Sequence, residues 1–299
     1  MSRVVHIGDS TEELQVRHQQ LIAKSREFSG PSHTAPLEDV DLLVLSTLNG
    51  LGLDLHTLQR AVDHNTGVVV CDEGFMPTGV LLPLFEAWNH TEVLHGQIEA
   101  SRPTKKRAWQ LVVQEKIRQQ AQSLPPDHRV AQRLNELAGH VRSGDAGNTE
   151  AIAARIYWPA LMGPNFRRMP RTRLGPNGAL DYGYAIVRSL VARCLVGVGL
   201  HPALGIFHHG RSNPFCLVDD LVEPLRPVVD RVVAAAPERF IGDLDPEGKE
   251  VLRQLLNQEF TCGDHQGLLT TACSRYAESF RNYLLGEGES IEFPRVAHH

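Results

Sequence analysis

Cysteine is scarce in this 299-residue chain: five residues, Cys71, Cys194, Cys216, Cys262 and Cys273, with no Cys-x-x-Cys pair among them. Neither a disulfide framework nor a cysteine zinc site is signalled, and a reducing cytoplasm is the expected setting. Long hydrophobic runs are also missing. The most apolar stretch, residues 190–207, is interrupted by Arg193 and His201, and residues 1–10 have neither a basic start nor an apolar stretch. Secretion and membrane spanning are therefore not expected. There is no Walker or dinucleotide glycine loop and no Gly-x-Ser-x-Gly elbow, so those enzyme classes lose support. Lysine is rare, 5 residues against 25 arginines. That ratio favours bidentate phosphate contacts, although an arginine-rich, GC-biased genome explains it about equally well.

Length and 42% hydrophobic content are enough for a sizeable core and exceed the usual single-domain size, so two domains are expected. The net charge of minus five hides an uneven distribution. Residues 1–100 carry 5 basic and 14 acidic groups, residues 101–215 carry 17 and 6, and residues 216–299 carry 8 and 15. A basic middle between acidic flanks is the footprint of a surface that binds a polyanion, provided that folding keeps those charges together.

Short apolar runs at 4–7, 14–16, 21–23, 42–45 and 68–71 predict strands. Residues 53–62 have helical spacing through Leu55, Leu58 and Val62. The stretch 73–79 reads as a loop. Beyond residue 88 the character changes: 106–124 and 130–141 read as helices, Asn148-Thr149-Glu150 as a capped helix start, and Pro159 as that helix's end. Residues 166–178 read as a basic surface loop. A helical stripe runs from Val187 to Val198, a helix bent near Pro224 and Pro227 covers 216–236, and further helices cover 246–260 and 268–285 before a tail. The class is α+β, with a β-strand-rich, sandwich-like domain over 1–85, a linker over 86–105 and a larger all-α domain over 106–299.

The chemistry concentrates in the helical part: Glu150 at a helix start, the His208-His209 pair in a loop, and Asp219, Asp220 and Glu223 on a following helix, where Asp220 and Glu223 share a face. Oxygen donors with one imidazole suit Mg²⁺ or Mn²⁺. Each position also has an ordinary explanation. Glu150 suits the helix dipole, the histidines suit a loop, Asp219 and Asp220 suit a helix cap, and the arginines of 167–173 suit a solvated surface. Tyr157, Trp158, Tyr182 and Tyr184 read as core aromatics before base-stacking ones.

The segment 199–227, GLHPALGIFHHGRSNPFCLVDDLVEPLRP, resembles the signature of the CRISPR-associated integrase of the spacer-acquisition module, the larger of the two universal adaptation proteins. Similar stretches lie at 68–84 (VVVCDEGFMPTGVLLPL), 97–117 (with SRPTKKRAWQLVVQEKI), 149–158 (TEAIAARIYW) and 179–191 (ALDYGYAIVRSLV), and the N-terminal wording looks most like the type II branch. The resemblance implies a divalent-metal-dependent endonuclease and integrase with metal on Glu150, His208 and Glu223 and with Asp220 assisting. His209 ranks below His208, and Asp181 stands where relatives often have asparagine. The implied reaction is transesterification: the 3′-hydroxyl of a captured DNA fragment attacks a phosphodiester at the leader-repeat junction. Lys105, Lys106, Arg107, Arg167, Arg168, Arg171 and Arg173 are the candidates for phosphate contacts. The implied partners are double-stranded DNA, a homodimer mate through the N-terminal domain, the small companion adaptation protein, and, in the type II branch, an accessory protein and the crRNA-guided effector nuclease. A stand-alone DNA repair nuclease and a non-catalytic DNA-binding scaffold are the competing readings.

Overall fold

The structure, a computed structural model, describes residues 3–27, 32–46, 50–72, 77–83, 89–172 and 174–297. Arg173, most of the expected loop at 73–79 and the expected domain boundary near residue 85 lie outside the described residues. The chain divides into two compact units, Met1–Trp88 and Asn89–His299.

The first unit contains β1 (Arg3–Ile7), β2 (Thr11–Arg17), β3 (Gln20–Ser25), β4 (His33–Pro36), β5 (Val40–Leu45), β6 (Gly52–Leu53), α1 (Leu55–Asp63), β7 (Gly67–Cys71) and β8 (Pro77–Leu81). Two four-stranded sheets form, in the orders β1-β5-β7-β8 and β4-β3-β2-β6. The central strand β5 pairs in parallel with both β1 and β7. It is buried on both faces, Leu43 and Leu45 in one cluster and Leu42 and Val44 in another, which is why it reads as a continuous apolar run. The larger cluster joins the two sheets through Ile7, Leu14, Leu21 and Val68. His18 and Gln19 take φ of 49° and 63°, the two-residue turn whose twist matches the flanking strands. Asp54 caps α1 by accepting from Thr57 N at 2.7 Å, and Thr57 Oγ1 in turn accepts from Val16 N at 3.1 Å, tying the helix to the sheet.

The second unit contains α2 (His90–Glu99), α3 (Arg102–Gln122), α4 (Arg129–Gly139), α5 (Thr149–Met162), α6 (Gly175–Gly197), α7 (Cys216–Val222), α8 (Arg226–Ala235), α9 (Pro246–Gln254), β9 (Glu259–Cys262), β10 (His265–Leu268), α10 (Leu269–Leu285) and β11 (Arg295–Val296). α6 is apolar nearly all round and buried along most of its length, so it lies inside the unit. The α+β class holds, and several local features depart from expectation, among them α6, which begins at Gly175 within the expected loop 166–178, and β8, which takes up 77–79 of the expected loop 73–79. The stretch expected as linker holds α2 and the first turn of α3, because α2 buries only Val93 and the polar Gln97 and shows little apolar periodicity. α5 continues past Pro159 to Met162. The expected bend near Pro224 is a 3₁₀ turn, Glu223–Leu225, where two prolines within four residues remove backbone donors. The helix expected to reach residue 260 ends at Gln254, and β9, β10 and β11 form a small sheet within the helical unit. The expected tail is thus anchored: Arg295 binds Glu115 on α3 through two 2.7 Å bonds, and Gln119 donates to the Pro294 carbonyl at 2.6 Å. Among the described residues no helix is long and apolar enough to cross a membrane, and all five cysteines are free.

Candidate active site

Three elements of the second unit bring the sequence-predicted residues together. Glu150 stands in the first turn of α5, whose Thr149 and Glu150 amides are capped not by Asn148 but by Asp145, at 2.8 and 3.1 Å. Glu223 opens the 3₁₀ turn after α7. His208 lies on the loop before α7, and this loop is pinned at both ends. Buried Gln97 of α2 donates to the carbonyls of His201 and Leu204 and accepts from His201 N, at 2.8–3.1 Å. At the other end, the Asp220 carboxylate accepts from the amides of Ile206, Phe207 and His208 at 2.7, 3.0 and 3.1 Å. Gly205 permits this close approach: a Cβ there would come within 2.3 Å of the His208 carbonyl and 2.9 Å of Asp220 Oδ2.

Asp220 also accepts from His208 Nδ1 at 2.7 Å. A carboxylate only accepts, so Nδ1 carries the proton and Nε2 is left as the ring's ligating or proton-exchanging atom. This hydrogen bond is the main cause of a His208 pKa above the ordinary histidine value, with burial opposing it. The Asp220 carboxylate is engaged within the loop rather than turned toward Lys116. Both its oxygens are committed, one to two amides and the other to an amide and the imidazole, and it acts by positioning His208.

Sequence reasoning missed Lys116 on α3. Its ammonium contacts Glu150 Oε1 at 2.5 Å and also donates to Glu223 Oε2. Glu223 Oε1 faces Arg226 Nε at 3.0 Å. Burial disfavours the charged form of Lys116, yet Glu223 and Glu150 outweigh it and hold its pKa above the usual lysine range. Burial likewise opposes ionisation of Glu223, and Lys116 and Arg226 overcome it, keeping that carboxyl below its ordinary value. The expected ligand set is therefore present as donors but not as a closed cage: among the described residues no three His, Cys, Asp or Glu side chains are gathered so that they hold a metal. Lys116 stands between the two carboxylates. Its ammonium is a stand-in cation, and two carboxylates with a free imidazole nitrogen suit a hard divalent ion.

Residues 5–241 match the family model described as CRISPR associated protein Cas1. The chain belongs to the Cas1 family. It is 36% identical over 272 residues to the CRISPR-associated endonuclease Cas1 of Neisseria meningitidis serogroup C (strain 8013), covering 90% of this chain and 88% of the relative. Among solved structures, a casposase bound to integration product has a TM-score of 0.79 at 18% identity, covering 97% of this chain and 93% of that one. A partial Cas6-RT-Cas1–Cas2 complex has a TM-score of 0.62 at 17% identity, with 96% of each chain covered. At such identity these two likenesses establish the fold.

Of the basic candidates on this Cas1-family chain, Lys105, Lys106 and Arg107 fall in the first turns of α3, and Lys106 and Arg107 are exposed. Arg167 and Arg171 are exposed as well. Arg168 is a correction. It donates to Asn177 Oδ1 at 3.0 Å and to Asp181, and it lies 5.3 Å from the Tyr184 ring centroid, so its guanidinium holds the loop to α6. Asp181 accepts from Arg168 and from Thr172 N at 3.2 Å, which accounts for an acid at that position. Asp219 pairs with Arg188 Nε at 2.5 Å and accepts from Asn213 Nδ2 at 2.7 Å, a structural role. Tyr157, Tyr182 and Tyr184 are buried as expected, and Trp158 is half-buried against Phe166.

Proposed function

We propose that this chain is a divalent-metal-dependent DNA integrase and endonuclease that inserts captured fragments into a CRISPR array. The observation that carries the reading is the convergence of Glu150 and Glu223 on one cation beside a histidine whose Nδ1 is fixed by Asp220. Glu150, Glu223 and His208 Nε2 would hold Mg²⁺ or Mn²⁺. Bound there, the ion supplies a lower pKa for the attacking hydroxyl and neutralisation of charge on the phosphate. The attacking 3′-hydroxyl oxygen forms a new bond to phosphorus, and the bond from phosphorus to the displaced 3′-oxygen breaks. No protein nucleophile is consumed. Water in place of the 3′-hydroxyl gives cleavage, so endonuclease and integrase use one site.

Asp220 keeps the imidazole in one orientation and tautomer, and Arg226 keeps Glu223 ionised and in place. Lys105, Lys106, Arg107, Arg167 and Arg171 supply sequence-independent phosphate contacts, so binding weakens steeply as salt rises. A homodimer through the N-terminal β unit and a Cas2-type companion complete the assembly; the acidic excess of residues 1–100 and the fold shared with a Cas1–Cas2 complex support this. The likeness of the N-terminal domain's wording to the type II branch adds an accessory protein and a crRNA-guided effector nuclease as selectors of fragments. The test is a joining assay with the purified chain, its companion, Mn²⁺, a short duplex and a leader-repeat plasmid. Fragment–plasmid products that vanish in His208→Ala and Glu223→Ala support the reading; cleavage without joining favours a stand-alone repair nuclease, and DNA binding with neither activity favours a scaffold.

A further inference from the structure

The two oxygens of Glu223 are held differently. Oε2 accepts from Lys116, whereas Oε1 faces Arg226 Nε at 3.0 Å, and that nitrogen is buried without a hydrogen-bond partner among the described residues. The Arg226 pair is therefore held by charge and not by an aligned bond, and charge alone does not fix where a guanidinium sits around a carboxylate. An aromatic ring supplies the missing direction: Arg226 Cζ lies 4.9 Å from the ring centroid of Tyr184. The ring is fixed in turn at its far end. Its hydroxyl donates to Asp230, which stands one turn beyond Arg226 on α8 and also accepts from the Tyr157 hydroxyl at 3.0 Å. Tyr184 is buried in α6, the most enclosed helix of the unit, so it is a rigid support for a side chain that is itself partly solvated. Arg168, which ties the basic loop to α6, lies 5.3 Å from the same centroid. One ring thus carries both the cation beside the candidate metal ligand and the cation that anchors the loop.

We propose that Tyr184 is a positioning residue for the joining reaction: its ring, anchored through Asp230, seats Arg226 and so keeps the Glu223 carboxylate turned toward the place shared with Glu150. This rests on the metal-site reading proposed above. Once the Lys116 ammonium gives up that place to a divalent ion, Arg226 is the contact that Glu223 retains. An unseated guanidinium then leaves the carboxylate to be ordered at the moment of binding, which weakens the ion's affinity and loosens the reacting geometry. The charge around the site is the same with or without the ring, so the effect is one of placement.

The test reads Mn²⁺ binding to the DNA-free chain from the loss of the free-ion EPR signal, a measure independent of turnover, beside the kinetics of joining in the presence of the companion protein. Tyr184→Leu should raise the Mn²⁺ Kd about tenfold, in line with the loss of one cation–π seat, and should lower kcat by at least as much. Tyr184→Phe keeps the ring and takes a donor from Asp230; it should melt lower than the wild type yet bind Mn²⁺ within about twofold of it, which separates seating from stability. Arg226→Lys keeps the charge without the flat cation and should follow Tyr184→Leu, so the proposal stays testable if the leucine variant does not fold. Arg168→Gln should raise the KM for the DNA fragment while the Mn²⁺ Kd stays within about twofold, because its guanidinium touches the ring and not Glu223. An unchanged Kd in folded Tyr184→Leu or in Arg226→Lys, or an equal loss in Tyr184→Phe or Arg168→Gln, overturns the positioning role and leaves the metal site standing. Wild-type Mn²⁺ binding that survives Glu223→Ala undiminished sinks the metal-site reading, and the positioning role with it.

Discussion

Replacing Lys116 by methionine keeps the stem's apolar bulk and removes one charge from between two carboxylates. The lysine side chain is 12% exposed, Glu223's 7% and Glu150's 28%. Deleting one partner of a buried ion pair costs about 3–5 kcal/mol. Arg226 remains 3.0 Å from Glu223 Oε1 and Glu150 is partly solvated, so a value below that range, about 2–3 kcal/mol, is the expectation. In a unit of this size that corresponds to a fall in Tm of roughly 5–10 °C. The structure then makes a second, sharper demand. With the ammonium gone, the two carboxylates have lost their shared cation, and Mn²⁺ added at millimolar concentration should recover most of the lost Tm in Lys116→Met while raising the wild type much less. Differential scanning fluorimetry with and without Mn²⁺ reads both effects. A variant that melts low and gains no more from Mn²⁺ than the wild type does would refute the view that Glu150 and Glu223 form one cation site.

Asp230 is buried, accepts from the hydroxyls of Tyr157 and Tyr184, and has its pKa raised to about 7, mainly by burial. Its folded-state pKa exceeds the ordinary carboxyl value, so the native state binds more protons than the unfolded one between about pH 4 and 7. Stability should therefore fall by a few kcal/mol as pH rises through that window. Urea unfolding at several pH values should show this slope for the wild type and a flatter one for Asp230→Asn; identical slopes contradict it. Asp220→Asn should lower the pKa of His208 toward about 6.5, read by NMR of labelled histidine in metal-free protein, and an unchanged midpoint would show that Asp220 does not set it. Gly205→Ala should eliminate joining, because its Cβ would overlap the His208 carbonyl, and full activity in that variant would mean that the loop is not held as described.

Much of this arrangement is legible in the sequence. Val4, Leu43 and Val69 sit in strands because short β-branched and leucine runs between turn residues suit a sheet buried on both faces, and the helices of the second unit follow from apolar spacing. Glu150 is legible through the resemblance of residues 149–158, and His208 and Glu223 through that of residues 199–227, because no periodicity links positions so distant in the chain. Lys116 escaped because a lysine among Val112, Val113 and Ile117 looks like a surface position on a well-patterned helix; its placement in a buried stripe was the available signal. Charge counting could not separate Arg168, spent on Asn177 and Asp181, from Arg167, which is free to meet a phosphate. The β9–β10 hairpin had a local cue in Gly263-Asp264, a two-residue turn with glycine first, but the leucines at 252, 255 and 256 extended the helical pattern toward it.

The central claim, transfer of a DNA strand by its own 3′-hydroxyl at a metal site on Glu150, His208 and Glu223, is tested most directly by the fragment's end chemistry. In the joining assay with companion protein and Mn²⁺, a fragment ending in a 3′-hydroxyl should be linked to the leader-repeat plasmid with its 5′ label retained, and the same fragment ending in a 3′-deoxy sugar should not be linked. Joining of the 3′-deoxy fragment at a comparable rate, or joining that persists in Glu223→Ala, would contradict the account.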